Sequence, residues 1–106
     1  MRDKFLNNVS GALTKINSEI DLKQLVVNRV WRECNENNAE IEKLKRYADI
    51  ASNGGNTLDA ELYTSKMNVL ISKNAEKEAV YKRESETLSE MRSIRSSIME
   101  DMSKLD

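Results

Sequence analysis

The sequence predicts an all-α fold, a long two-helix antiparallel coiled-coil hairpin. Three observations carry this. There is no proline in 106 residues, so nothing sterically interrupts a helix. The one strong breaker, Ser52-Asn53-Gly54-Gly55-Asn56, lies almost at the centre of the chain. Apolar residues on either side of it recur at spacings of three and four, the signature of a coiled-coil seam.

The first helix is expected over about residues 3–52. Its seam runs through Leu6, Val9, Leu13, Ile16, Ile20, Lys23, Val27, Val30, Cys34, Asn37, Ile41, Leu44, Ala48 and Ala51, and only Lys23 and Asn37 are polar. Gly11 is isolated and is tolerated in a helix at a cost of about 1 kcal/mol. The turn falls at 53–56, where Gly and Asn accept left-handed backbone angles. Thr57 is the expected N-cap of the second helix, with Asp59 and Glu61 placing negative charge in its first turn.

The second helix is expected over about 57–105. Its seam reads Ala60, Tyr63, Met67, Leu70, Asn74, Lys77, Tyr81, Glu84, Leu88, Met91, Arg95, Ile98, Met102 and Leu105. Folding the two seams together about Gly54-Gly55 pairs residues whose numbers sum to 111, so that Leu44 faces Met67, Ile20 faces Met91 and Leu6 faces Leu105. Asn37 then faces Asn74, a polar layer whose amides exchange hydrogen bonds and fix the register. Lys23 and Glu84 fall in adjacent layers on opposite helices, within reach of an ion pair. Residues 1–106 thus form a single helical hairpin, with each helix ~70 Å long at 1.5 Å per residue.

Such a hairpin has a thin core. Val26, Trp31, Tyr47, Leu62, Ile71, Val80, Ile94 and Met99 lie beside the seam. They either wrap around it or form a surface for a partner or a second copy.

Composition excludes most chemistry. With no His there is no base of near-neutral pKa, and with one Cys there is no disulfide framework within the chain. The same two counts leave no usual metal-ligand set, and no cofactor is expected. Cys34 is expected on the seam, a buried thiol with no activating partner. Glu33/Glu36 and Glu40/Glu42 read as solvated faces or as intrahelical ion-pair partners. Gly54-Gly55 lacks a phosphate-cradling pattern. Lys82, Arg83, Arg92 and Arg95 are interleaved with Glu78, Glu84, Glu86 and Glu90, again a solvated face. With 17 basic and 18 acidic residues there is no basic excess for nucleic acid. No apolar run approaches the ~18 residues of a membrane span, so direct insertion is not expected. The N-terminus has no apolar h-region of a secretory signal, which points to a reducing cytoplasm. An enzyme is not expected.

Around the turn the sequence reads IEKLKRYADIASNGGNTLDAELYTSKMNVLISKNAEKEAVYKRE. This stretch resembles the small coiled-coil stalk proteins of bacterial type III export systems, the FliJ/YscO/InvI family. Leu44 and Tyr47 match the family's aromatic element before the bend. Glu61-Leu62-Tyr63-Thr64 with Met67, Leu70 and Ile71 matches the aromatic-plus-aliphatic run after it. The resemblance covers about residues 41–83. It implies a non-enzymatic stalk in the bacterial cytoplasm, peripheral to the inner-membrane export apparatus. It also implies as partners the hexameric export ATPase, the cytoplasmic domain of the export gate and, in some members, secretion chaperones. The gate-contacting positions would be Leu44, Tyr47, Tyr63, Met67 and Ile71, with Tyr47 and Ile71 just off the seam. The coil ends, Leu6 to Leu13 and Ile98 to Leu105, would point into the ATPase.

Two alternatives stand beside it. One is a self-assembling, membrane-associated hairpin like those of the PspA/Vipp membrane-stress family. Small residues at the bend, Ala48, Ala51 and Ala60, suit it. The stretch from Phe5 to Ile20, amphipathic but not basic, does not. The other is a small helical secretion chaperone whose apolar flanks hold a partner's helix.

Overall fold

The structure is a computed structural model and describes residues 2–104. It consists of two helices, α1 (Arg2–Asn53) and α2 (Thr57–Ser103), and no strand occurs among the described residues. The chain is an all-α helical hairpin. Two compact units make it up, one of Met1–Asn28 with Lys82–Asp106 and the other of Arg29–Tyr81.

The 3,4 pattern governs burial along both helices. All fourteen seam positions of α1 are buried or half-buried, and so are the thirteen described seam positions of α2. Leu105 lies outside the described residues. In the first unit Ile16, Ile20, Val27 and Leu88 are buried. In the second, Val30, Cys34, Leu44 and Ala48 are buried, with Asn74 beside them. The core is therefore a single stripe, as expected of a structure that can bury only one face of each helix. Gly11 sits within α1 without breaking it, and a methyl group there would meet nothing within 4 Å.

The turn is built by backbone capping at both helix ends. Gly55 has φ +77°, and its N–H donates to the Ser52 carbonyl at 3.1 Å. The Asn56 N–H reaches back to the Ala51 carbonyl at 2.8 Å. This pair of bonds is a Schellman motif, which satisfies two of the carbonyls that α1 would otherwise leave open.

The N-cap of α2 is Asn56, not Thr57. The Asn56 Oδ1 accepts from the Asp59 N–H at 3.2 Å, and the Asn56 carbonyl accepts the first helical bond, from Ala60 N–H at 3.1 Å. Its side-chain amide also donates to Asp59 Oδ2 at 2.7 Å. The Schellman bond explains the shift by one residue. It commits Asn56 to the end of α1, so the same residue is placed to begin α2 and Thr57 becomes the first helical position.

Candidate functional site: the polar layer and the groove near the turn

In the second unit the polar layer forms as the register requires. Asn37 Nδ2 donates to Asn74 Oδ1 at 3.2 Å. Asn74, 3% exposed, spends its own amide on Asn38 Oδ1 at 2.8 Å and Glu78 Oε1 at 3.3 Å. The layer is therefore a four-residue cluster centred on Asn74. Asn38 and Glu78 were not legible as members, because neither is a seam position; both reach inward from the flank.

One turn away Lys77 Nζ meets Glu33 Oε2 at 2.8 Å. This corrects the reading of Glu33, whose ion-pair partner lies on the other helix. Glu33 precedes a seam residue, and the four-carbon stem of Lys77 carries its ammonium out of the seam to meet it. The hydrogen bond from Lys77 holds the Glu33 carboxyl below the ordinary carboxylate range, against the opposing effect of desolvation. Cys34, next to Glu33 in the chain, is buried, and desolvation pushes its thiol above its ordinary value, with the Glu78 charge adding to the effect. The thiol is held neutral.

Closer to the turn lies an open groove of about 620 Å³. Leu44, Tyr63 and Leu70 contribute from the seam, with Tyr47 and Val69 beside it completing an apolar floor. Tyr47 and Tyr63 pack at 5.5 Å between ring centroids, inclined at 54°. Lys43, Lys66 and Lys73 stand around the floor with Glu40. Lys43 Nζ lies 5.7 Å from the centre of the Tyr47 ring, within cation–π range.

The structure thus gathers three of the five positions suggested by the stalk resemblance, Leu44, Tyr47 and Tyr63, around one groove. Met67 is half-buried on the seam and does not line it. Ile71 is 45% exposed and also lies outside the lining. Of the flanking apolar residues, Val26 and Val80 tuck against the seam, while Trp31, Leu62, Ile94 and Met99 remain exposed with Tyr47 and Ile71. Leu22, Leu25, Ile50, Leu58 and Val69 are exposed as well, and the 3,4 pattern did not single them out.

In the first unit Lys23 Nζ meets Glu84 Oε2 at 2.6 Å, the adjacent-layer pair that the seam register anticipates. The hydrogen bond from Lys23 holds the Glu84 carboxyl below its ordinary value. Arg95 Nη1 donates to Asn17 Oδ1 at 3.5 Å, and Arg92 Nη2 to Gln24 Oε1 at 2.5 Å. Two members of the basic concentration are thus engaged across the pair of helices. Among the described residues no group of carboxylates and thiols could hold a metal ion, and no helix is long and apolar enough to cross a membrane.

Over all of its 106 residues the chain is 28% identical to a phage shock protein A homolog of Bacillus subtilis (strain 168). The chain spans about half of that relative, 47% of its length. Neither a protein-family model nor a solved structure matches the chain. The similarity is to a PspA-like helical protein, and it favours the membrane-hairpin alternative over the export stalk.

Proposed function

We propose that this chain is a non-enzymatic, self-assembling helical hairpin that works at the surface of a bacterial membrane, after the manner of the PspA/Vipp family. The observation that carries this is the similarity to the Bacillus phage shock protein A homolog, which runs the full length of the chain. It is not confined to the turn, where the stalk resemblance lies.

Two features of the hairpin support the reading. The helices run 52 and 47 residues with a single break, so they supply long faces on which copies can stack. Those faces carry large exposed apolar side chains, among them Leu22, Leu25, Trp31 and Ile94, more than a two-helix core can cover. Contact with a membrane would be peripheral, through exposed side chains.

Sedimentation velocity and negative-stain microscopy of the purified chain test assembly. Flotation with vesicles of phosphatidylglycerol and phosphatidylcholine, against phosphatidylcholine alone, tests the membrane. Large homo-oligomers that float with the anionic vesicles are expected. A strictly monomeric chain that ignores both vesicle types would overturn the reading.

The export-stalk reading has one specific support, the convergence of Leu44, Tyr47 and Tyr63 on the groove. It calls for co-purification with the export ATPase and the gate's cytoplasmic domain, and for no vesicle binding.

A further inference from the structure

The groove near the turn has a partly open apolar floor and a lysine-rich rim that the interhelical ion pairs of the hairpin leave out. Its floor is apolar, and parts of it face solvent: Val69 is 56% exposed and Tyr47 40%. Around it stand three lysines and one glutamate. Among the described residues, none of Lys43, Lys66 and Lys73 has a carboxylate partner within ion-pair distance. Lys23 and Lys77, by contrast, are each matched to a glutamate across the seam. The groove thus joins apolar surface to a local excess of unpaired positive charge.

The spacing narrows the ligand. Lys66 and Lys73 are seven residues apart on α2, which is two turns or about 10.5 Å along one face. Val69 and Leu70 lie between them. Lys43 and Tyr47 stand one turn apart on α1, on the opposite side of the groove. Lys66 and Lys73, set two turns apart along α2, match a row of charges better than a single anion. Both walls are helices whose backbone groups are bonded internally, so no sheet edge is available to an extended peptide. A helix laid into the groove meets alternating ridges and can bury an apolar stripe.

We propose that this groove docks an acidic amphipathic helix of a partner protein. Its apolar stripe would lie on Tyr47, Val69 and Leu70. Its carboxylates, two turns apart, would meet Lys66 and Lys73, with a third opposite Lys43. The docked helix completes a three-helix bundle around a core that two helices leave thin. The proposal stands independently of the membrane-hairpin reading, since it concerns a protein ligand bound without lipid.

The test is a displayed library of short helices. Each has Leu, Phe or Met at i, i+3, i+4 and i+7, and Asp, Glu, Lys, Ser or Ala at the remaining positions. It is selected in solution against the full chain. Selected helices are expected to be acidic on both flanks of the apolar stripe, and to bind about tenfold or more weakly to K66E/K73E. Their charge-swapped counterparts, carrying Lys at those flanks, should bind the reversed chain and restore the loss. All three lysines are exposed, so the reversed chain should keep its helicity and melting temperature. If it does not, K66S/K73S takes its place with the same expectation of weakened binding. No enrichment, enrichment without acidic bias, or binding indifferent to the lysines would each overturn the proposal. So would an outcome in which these lysines govern only self-association or flotation with anionic vesicles and no acidic helix is selected. Because the selection contains no lipid, its failure leaves the vesicle result to judge the membrane reading separately.

Discussion

Lys23 on α1 and Glu84 on α2 occupy adjacent layers of the seam and close an ion pair of 2.6 Å between positions that a coiled coil normally fills with apolar side chains. Their side chains are 28% and 19% exposed, so the pair is partly screened by solvent without being fully open to it. Farther along, Lys77 and Glu33 make a second interhelical pair at 2.8 Å, more exposed than the first. Both carboxyls are held below their ordinary values, chiefly by the hydrogen bond from the lysine.

These shifts set the direction of the pH dependence. A carboxylate whose folded value is lowered binds protons more readily in the unfolded chain. Its contribution to stability is complete above the unfolded value and is lost as pH falls through the folded one. Thermal melts should therefore show the melting temperature dropping as pH falls through the carboxylate range. In Glu84→Gln that dependence should be shallower, with Glu33→Gln showing a smaller change because its pair is more exposed. Equal slopes in all three chains would remove the two pairs as its cause.

The Asn37–Asn74 layer trades stability for register. Asn74 is buried and bonds to Asn37, Asn38 and Glu78, so Asn74→Ala removes three hydrogen bonds at once and leaves the half-buried Asn37 amide without its partner across the seam. A loss of about 1–3 kcal/mol is expected, and a smaller loss for the half-buried Asn37→Ala. Replacing both asparagines with Leu removes polar groups from the seam in a matched way. Denaturant melts should then show a gain in stability, and sedimentation a loss of defined register or oligomeric state. An unchanged stability and a single unchanged species would contradict this role.

Gly54 and Gly55 differ in what they require. Gly55 holds φ +77°, where a side chain costs about 1–2 kcal/mol, so Gly55→Ala should destabilise by that amount. Gly54→Ala brings a methyl only into ordinary contact, 3.4 Å from the Ile50 carbonyl oxygen. It should be neutral in chemical denaturation. Equal effects at the two positions would show that the Schellman geometry is not what closes the turn.

Cys34 should be slow to react. Burial and the nearby Glu78 charge both disfavour its thiolate. Modification by an aromatic disulfide at neutral pH should proceed at the rate of local opening in the folded chain, and many times faster in denaturant. Fast labelling of the folded chain would place Cys34 outside the seam.

The fold was legible because one physical rule decided most of it. The 3,4 spacing of apolar residues, unbroken by proline, marks the buried stripe from Leu6 to Met102, and even its polar members Lys23, Asn37 and Asn74 find partners across it. What the pattern could not reach lies off the stripe. Asn38 and Glu78 reach Asn74 from flanking positions, and Glu33 is met by the Lys77 ammonium leaving the seam; periodicity carries no information about such rotamers. Asn56 outcompeted Thr57 as the cap because the backbone bond closing α1 had already fixed it. The groove was half visible. Leu44, Tyr47 and Tyr63 stood out by residue type, whereas Lys43, Lys66 and Lys73 look like any exposed lysines until both helices bring them to one rim.

Tyr47, Ile71 and Leu44 separate binding surface from core. Leu44 is buried, and truncating a buried leucine costs about 2–5 kcal/mol, so Leu44→Ala should lower the melting temperature severely. Ile71 is exposed and outside the groove, and Ile71→Ala should fall within about 0.5 kcal/mol of the parent. Tyr47 lies between these extremes. It is 40% exposed, yet its ring packs on Tyr63 at 5.5 Å, a contact worth about 0.5–1.5 kcal/mol beyond area. Adding the apolar area that the covered part of the ring loses, Tyr47→Ala should cost about 1.5–3 kcal/mol, less than Leu44→Ala, while Tyr47→Phe, which keeps the ring, should cost almost nothing. Denaturant melts of the four variants give the ordering directly. If Tyr47→Ala proved as damaging as Leu44→Ala, the tyrosine would be a core residue, and the groove would lose the side chain that joins its apolar floor to its charged rim.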